Sequence, residues 1–527
     1  MANTDNEPSK VETVKADVNH DETVLAVEQH VENDKTLMQS IKENPRIIAF
    51  TFLANCGSFL FGYDVLVQGA INALPMFSIT FGSLYGDGYI LPALWQGLWQ
   101  AFNALGIMIG AAGNGFLQDL FGRKIMFFVG GVISAIGTAL AYVASDLDGV
   151  NHRRGLLLVG KFIIGMSMGI MMSTCQTYVS EISPPKLRTI LLGFYPFLIT
   201  VGQMIAINVV FSRVAVMDLS ALKIPFASQW AFSGYAMLVA FILPESPVYL
   251  VSKNKIEQAR KVLRLVAPAV SADERISYIR ATAEQERATQ SQEPSIAECF
   301  RGTHLRRTRI VALLNSLQQF IGVSLVSNSS YFFIMAGMAP TMSLTLNQIG
   351  VACSMVCTLI SWVIITKVGR RRAILASFAL AGLIFLGMGV AGIWSQNPTA
   401  LRFIGVALIM AACCSNLGTG TAYPIAAAEM PASRLRAKTL GIGFGVNAFM
   451  TWVFALCVPY MFNADQGNLG GKIGFVFFGF CIVGFVLSYL EIPETKDITY
   501  ATINHLFQTG TPARKFKNLA SSEHMDI

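Results

Sequence analysis

At 527 residues the chain is long enough for roughly two to four ordinary domains, yet 53% of it is apolar and only 13% is charged. That is about half the charged share of a soluble protein, so an ordinary soluble fold is excluded. The net charge of +7 sits in clumps between apolar stretches and reads as a signal of topology rather than of nucleic-acid binding.

Residues 1–46 alternate acids, Asn, Val and Lys without an apolar core; they read as a disordered, solvated tail and not as a cleavable signal peptide. Twelve apolar runs follow, at 47–74, 92–116, 125–145, 155–180, 189–211, 225–244, 309–336, 347–366, 373–394, 401–428, 437–462 and 472–491. Their lengths centre on about 20 residues, enough to cross a bilayer. There each backbone polar group needs a partner within its own segment, so the runs are expected to be helices. Barrel strands would be about 10 residues long and strictly alternating, which these are not. One set of connections carries "FGRK" (121–124), "PPKLR" (184–188), the basic segment after Glu245, "KVGRRR" (367–372) and "SRLRAK" (433–438). The alternate set holds scattered charges, which places the first set and both termini in the cytoplasm.

Three phrases recur in order at a nearly constant offset. "FGRK" around Gly122 returns as "VGRR" around Gly369, "EISPPKLR" (181–188) as "EMPASRLR" (429–436), and "PESP" (244–247) as "PETK" (493–496). Glu and Arg are scarce here, so coincidence explains the match poorly. The reading is two six-helix halves related by duplication: a tail at 1–46, a bundle at 47–244, a cytoplasmic linker with short helices at 245–308, a bundle at 309–493 and a tail at 494–527. Within the linker, "IEQARKVLRLVA" (256–267) has the apolar spacing of a surface helix. A parallel repeat of this kind is the plan of carriers that rock around a midplane site.

Charges at the ends of these runs carry the next inference. Arg123, Glu181 and Arg188 in the first half, and Arg370, Glu429 and Arg436 in the second, mark cytoplasmic helix ends. A network of such pairs across the two halves would form a gate that closes and releases with the cycle. Asp64 is the carboxylate set well inside an apolar run, and Lys161 is the lysine deep within one. Buried ionisable groups mark ion pathways by default, and the two lie within a few Å of the same depth, near enough to pair. A static structural salt bridge is the alternative. The six histidines fall outside the runs, and the nine cysteines read as core thiols without disulfide or zinc spacing. Amides at Gln203, Gln318, Gln319 and Asn447 offer neutral donors and acceptors inside helices five, seven and eleven. Each could instead bridge neighbouring helices.

The stretches "FGYDVLVQGAINALPMF" (61–77), "QQFIGVSLVSNSSYFF" (318–333), "PESPVYLV" (244–251) and "PETKDITY" (493–500) resemble the signatures of the major facilitator superfamily, and specifically of its sugar porters. "GVSLVSNSSYFFIMAG" (322–337) and "EMPASRLRAKT" (429–439) are similar to fungal α-glucoside, maltose-type permeases. The resemblance covers residues about 45–500. It implies an all-α integral membrane fold of twelve transmembrane helices in two pseudo-symmetric six-helix bundles. It also implies sugar contact at Gln203, Gln318, Gln319, Ser324, Gly420 and Asn447, proton coupling at Asp64 and Lys161, and the gating role of the charged ends. Phe320, Tyr331 and Phe332 are candidate ring faces for the sugar. The chain departs from the pattern at Leu120, Lys161, Ser324, Thr366, Pro196 and Pro424, where the family usually has Arg, Arg, Asn, Asp, Gln and Trp. Three of these, Ser324, Pro196 and Pro424, bear on sugar contact and put a hexose preference in doubt.

The expectation is therefore a proton-coupled importer of a sugar, an α-glucoside or hexose, working as a monomer in the plasma membrane by alternating access. Its partners are the sugar, a proton and the lipid bilayer, with no nucleic acid. A carrier of another small polar metabolite and a proton-independent facilitator are the rival readings, with a non-transporting nutrient sensor behind them. No Walker loop, metal cluster or catalytic triad marks an enzyme, and no cofactor is expected.

Overall fold

A computed structural model describes residues 42, 44–86, 88–266, 271–290, 295–394, 397–432, 435–496, 498 and 500–516. Most of the proposed N-terminal tail and the last residues of the C-terminal one lie outside it. The first apolar run forms α1 (Pro45–Ala54) and α2 (Cys56–Ala70), interrupted at Asn55. Asn55 donates its amide to the Thr51 carbonyl at 2.9 Å and accepts from the Ser58 hydroxyl at 3.1 Å, which satisfies groups freed by the break. α3 (Pro75–Phe81) leads to a two-stranded hairpin, β1 (Ser83–Tyr85) and β2 (Gly88–Ile90), that the sequence reading did not anticipate. The rest of the first half is α4 (Ala93–Phe121), α5 (Arg123–Ala144), α6 (Val150–Ile182), α7 (Pro185–Phe211) and α8 (Ser220–Ile242).

Three helices, α9 (Pro247–Ser252), α10 (Ile256–Val266) and α11 (Ala272–Gln290), pack a small core of their own from Tyr249, Leu250, Leu263, Ile276 and Ile279. The seventh apolar run is broken into α12 (Gly302–Phe320), α13 (Val323–Ser327) and α14 (Ser329–Met335). Helices α15 (Pro340–Val368), α16 (Arg370–Ala391), α17 (Pro398–Leu417), α18 (Thr419–Glu429), α19 (Arg436–Phe462) and α20 (Ile473–Glu491) complete the second half. A last helix, α21 (Tyr500–Gln508), docks at the base of α12, where Arg307 donates to the Asn504 side chain at 2.7 Å.

Helical segments thus stand on all twelve apolar runs. Among the described residues nine stretches are both long and apolar enough to cross a membrane unaided. The other three are α4, α8 and the broken α12–α14 set. α4 carries Gln96, Gln100, Asn103, Asn114 and Gln118, side chains that turn inward rather than to lipid. Packing repeats between the halves: α6 on α4 and α5, α8 on α5, and α7 on α2 are matched by α17 on α15 and α16, α20 on α16, and α19 on α12. The contacts between halves, α4 with α19 and α7 with α15, exchange under the same correspondence. That is the pseudo-symmetry the repeated phrases imply.

The break at Gly322 is a backbone requirement. Its φ is +86°, and an added Cβ would lie 2.7 Å from the ring of Phe385. Gly322→Val is expected to destabilise the protein by about 1–3 kcal/mol and to lower its melting temperature in detergent. An unchanged melting temperature would show that the break relaxes freely.

Candidate functional site

The face bearing Gly122 and Gly369 is called the basic face, and the opposite one the distal face. At the basic face each half builds the same cluster. Gly122 has φ +93° and Gly369 φ +95°, so the chain turns sharply and starts a new helix with its arginine. The first N–H groups of α5 are exposed donors with a partial positive charge. Glu245 accepts from the Arg123 N–H at 2.9 Å, and Glu494 accepts from the Arg370 N–H at 3.0 Å. The guanidiniums then reach the end of the following span, on α6 and on α18. Arg123 binds Glu181 through two bonds of 2.7 and 3.0 Å, and Arg370 binds Glu429 at 2.9 Å, with Thr495 donating to the other Glu429 oxygen at 2.5 Å.

Glu245 and Glu494 are the residues the sequence reading missed. They lay in the repeated "PESP" and "PETK" phrases, which had served as register marks and not as acceptors.

In this conformation the pairs Arg123–Glu181 and Arg370–Glu429 each close within one half. An arginine and a glutamate on consecutive spans of the same bundle meet because α5 packs on α6 and α16 on α18. Arg436 is exposed and donates to the Ala428 carbonyl at 2.8 Å, also within its own half. The Arg188 side chain lies outside the described residues. Glu429→Gln is expected to slow transport several-fold with expression unchanged, since a half-buried charged bond is worth about 1–3 kcal/mol. Initial-rate uptake beside a membrane-protein blot tests this; wild-type rates would refute it.

Asp64 is fully buried on α2, and neither carboxylate oxygen meets a hydrogen-bond donor among the described residues. Lys161, on α6, is 2% exposed. Its ammonium points to the Gln68 carbonyl at 3.5 Å and stands 5.3 Å from the centre of the Trp99 ring. The expected Asp64–Lys161 pair is therefore not formed: Lys161 is level with Gln68, one helical turn from Asp64 toward the distal face. Further along the same segment, Gln68 Nε2 and Asn72 Oδ1 also meet no hydrogen-bond partner among the described residues. Asn103 holds the Lys161 backbone carbonyl at 3.0 Å, fixing α4 against α6 at this depth.

The expected sugar contacts divide into two groups. Gln203 and Gln318 are half-buried and make no side-chain hydrogen bond among the described residues. Gln319 donates to Thr451 at 3.0 Å, with its oxygen unsatisfied, and Asn447 donates to the Asn315 carbonyl at 2.9 Å. Both of these amides therefore bridge α12 and α19. Ser324 is buried in α13 and Gly420 half-buried in α18. Of the aromatic candidates, Phe320 stacks on Phe480 at 5.7 Å, while Tyr331 and Phe332 are buried against Phe462. Those two rings are part of the packed interior.

Hydrogen bonds between the halves gather toward the distal face. Tyr331 accepts from the Leu91 N–H at 3.0 Å, Asp465 accepts from the Ala93 N–H at 3.0 Å, and Asn463 donates to the Leu91 carbonyl at 2.6 Å. The hairpin contributes Tyr85, whose hydroxyl reaches the Ala464 carbonyl at 3.2 Å. Deeper in, the Gln100 and Asn328 amides bond reciprocally, Asn328 donating back at 2.9 Å, at the junction of α13 and α14. No local pattern announces a pair so remote in sequence. Gly69 packs directly on the Ser327 carbonyl beside it.

Three comparisons bear on this arrangement. Residues 50–507 match the family model described as "Sugar (and other) transporter". The MFS transporter fmqE of Aspergillus fumigatus is 31% identical over 96% of both chains. The general alpha-glucoside permease of Saccharomyces cerevisiae is 31% identical over 92% of this chain and 79% of its own length. Among solved structures, the inward open xylose transporter XylE of E. coli superposes with a TM-score of 0.72 at 19% identity, over 87% of this chain and 99% of that one.

Proposed function

Since the chain belongs to the sugar transporter family, we propose that it carries a neutral sugar, of the α-glucoside or hexose class, into the cytoplasm together with a proton. The observation that carries the proton half is Asp64, sealed from solvent without a donor, one turn from an equally buried Lys161 that faces no carboxylate. A lone ionised carboxylate is expensive in such a place. Uptake of a proton at Asp64 and release of that proton toward the cytoplasm, with Lys161 moving one turn to meet the carboxylate, links charge to conformation. The resemblance assigns coupling to the same two residues.

The basic loops favour a cytoplasmic basic face with both termini on that side, and import of a sugar from outside fits a plasma-membrane location. With the distal bonds made, the conformation is inward-facing. Gln203 and Gln318, half-buried with free amides, are the sugar donors and acceptors that this state offers, with Ser324 and Gly420 along the same path. An α-glucoside is favoured by the similarity to the yeast permease.

A second reading has its own observation. Gln319 and Asn447 use their amides on neighbouring helices, which leaves fewer sugar contacts than the family pattern supplies. A smaller polar metabolite would need fewer. The two readings part in cells stripped of their own sugar carriers, given a labelled panel with and without a protonophore. Protonophore-sensitive accumulation of an α-glucoside or hexose is the expected result. No accumulation of any sugar in the panel would overturn it in favour of the second reading.

A further inference from the structure

Four of the nine cysteines, Cys353, Cys357, Cys413 and Cys414, come together at one place, where α15 packs on α17. The register of that seam follows from neighbours on either side. Toward the distal face, a Cβ on Gly405 would lie 2.6 Å from the Leu346 side chain, and one on Gly350 would lie 3.3 Å from Ile409. Toward the basic face, Thr421 donates to the Ser361 hydroxyl at 3.1 Å. Between these contacts the same register sets Cys413 of α17 against the turn of α15 that runs from Cys353 to Cys357. Cys413 thus faces Cys353 and Cys357 across the seam, with Cys414 next to it in the chain. All four are free and none is fully buried. Thiols at this depth have no part in the proposed transport route.

We propose that Cys357 and Cys413 form a dithiol site for trivalent arsenic compounds, a class of soft electrophile that binds two adjacent sulfurs far better than one. Sulfur is the protein's soft ligand, and two thiols facing each other across one helix seam need little reorganisation to hold one soft centre. With an organoarsenic oxide, two As–S bonds form as the As–O bond is lost. The oxygen leaves as water with both thiol protons, and arsenic stays trivalent, so no oxidant or reductant enters. The product is a covalent staple from α15 to α17. Because α15 also packs on α7 of the other half, the staple fixes a helix that takes part in the moving interface.

The test uses the full-length protein purified in detergent, with phenylarsine oxide as the probe and intact-protein mass spectrometry as the readout. One phenylarsenic unit per chain is expected, removed by 2,3-dimercaptopropanol. The adduct should be lost in Cys357→Ala and in Cys413→Ala and kept in Cys175→Ala, which alters the separate, fully buried pair with Cys56. Size-exclusion profiles show that each variant is folded, and the milder Cys→Ser changes substitute for one that is not. An unmodified wild-type chain overturns the proposal. So does an adduct that survives loss of Cys357 and Cys413 or that disappears with Cys175.

Discussion

Asp64→Asn should abolish uphill accumulation of the transported solute while leaving exchange of labelled for unlabelled solute intact. With one proton moved per solute, each pH unit of gradient is worth about 1.4 kcal/mol and supports about tenfold accumulation. In the variant the ratio should fall to about one under the same gradient. Asn keeps the size and most of the shape of Asp, so α2 should pack as before; what it removes is the exchangeable proton. The site is sensitive to this change because both Asp64 oxygens are buried without a donor, leaving the side chain no other means of accommodating a charge. Acid stimulation of uptake should vanish as well. Measurement in proteoliposomes with an imposed pH difference decides the matter, and tenfold accumulation persisting in the variant would end the claim of coupling at this residue.

Gly69→Trp should stop net transport by holding the distal face open. Gly69 on α2 rests on the Ser327 carbonyl of α13, and even a Cβ would come within 2.6 Å of that oxygen. Backbone atoms cannot swing aside as a side chain can, so an indole there acts as a wedge between the halves. The bonds that close this face, from Leu91 to Tyr331 and between Gln100 and Asn328, could not then form. Initial uptake should fall by at least about 10²-fold, the scale of a misplaced assembly step, while each half folds and solute binding from outside survives. Binding and thermal stability measured beside uptake separate this from misfolding. Uptake within a few-fold of wild type would show that the Gly69–Ser327 contact is not part of the cycle.

The twelve spans were legible because apolar length is dictated by bilayer thickness and needs no tertiary knowledge. Their interruptions at Asn55, Gly322 and Gly418 were not. A broken helix is tolerable only where neighbours satisfy the freed backbone groups or fill the bend, as Phe385 does at Gly322, and those neighbours are remote in sequence. The hairpin between Ser83 and Ile90 falls in the same class, although Gly86 and Gly88 carried turn chemistry.

At the charged ends, Arg123, Glu181, Arg370 and Glu429 stood out because ionised groups are rare here, and their partners could be named only once α5 lay on α6. Asp64 and Lys161 were legible as buried charges. Their separation was not, because one turn of helix decides between a bond and none. Gln319 and Asn447 show a different limit: an amide's number says nothing about whether it faces a solute or a neighbouring helix.

The closure of Arg123 on Glu181 and of Arg370 on Glu429 inside their own bundles has a mechanical meaning. Each six-helix unit is cross-braced at its basic face. A braced unit tilts as one piece, so a shift of a few Å at a gate is transmitted along a helix instead of being absorbed by bending. Severing one brace would make the unit springy, so that effort applied at one mouth arrives diminished at the other.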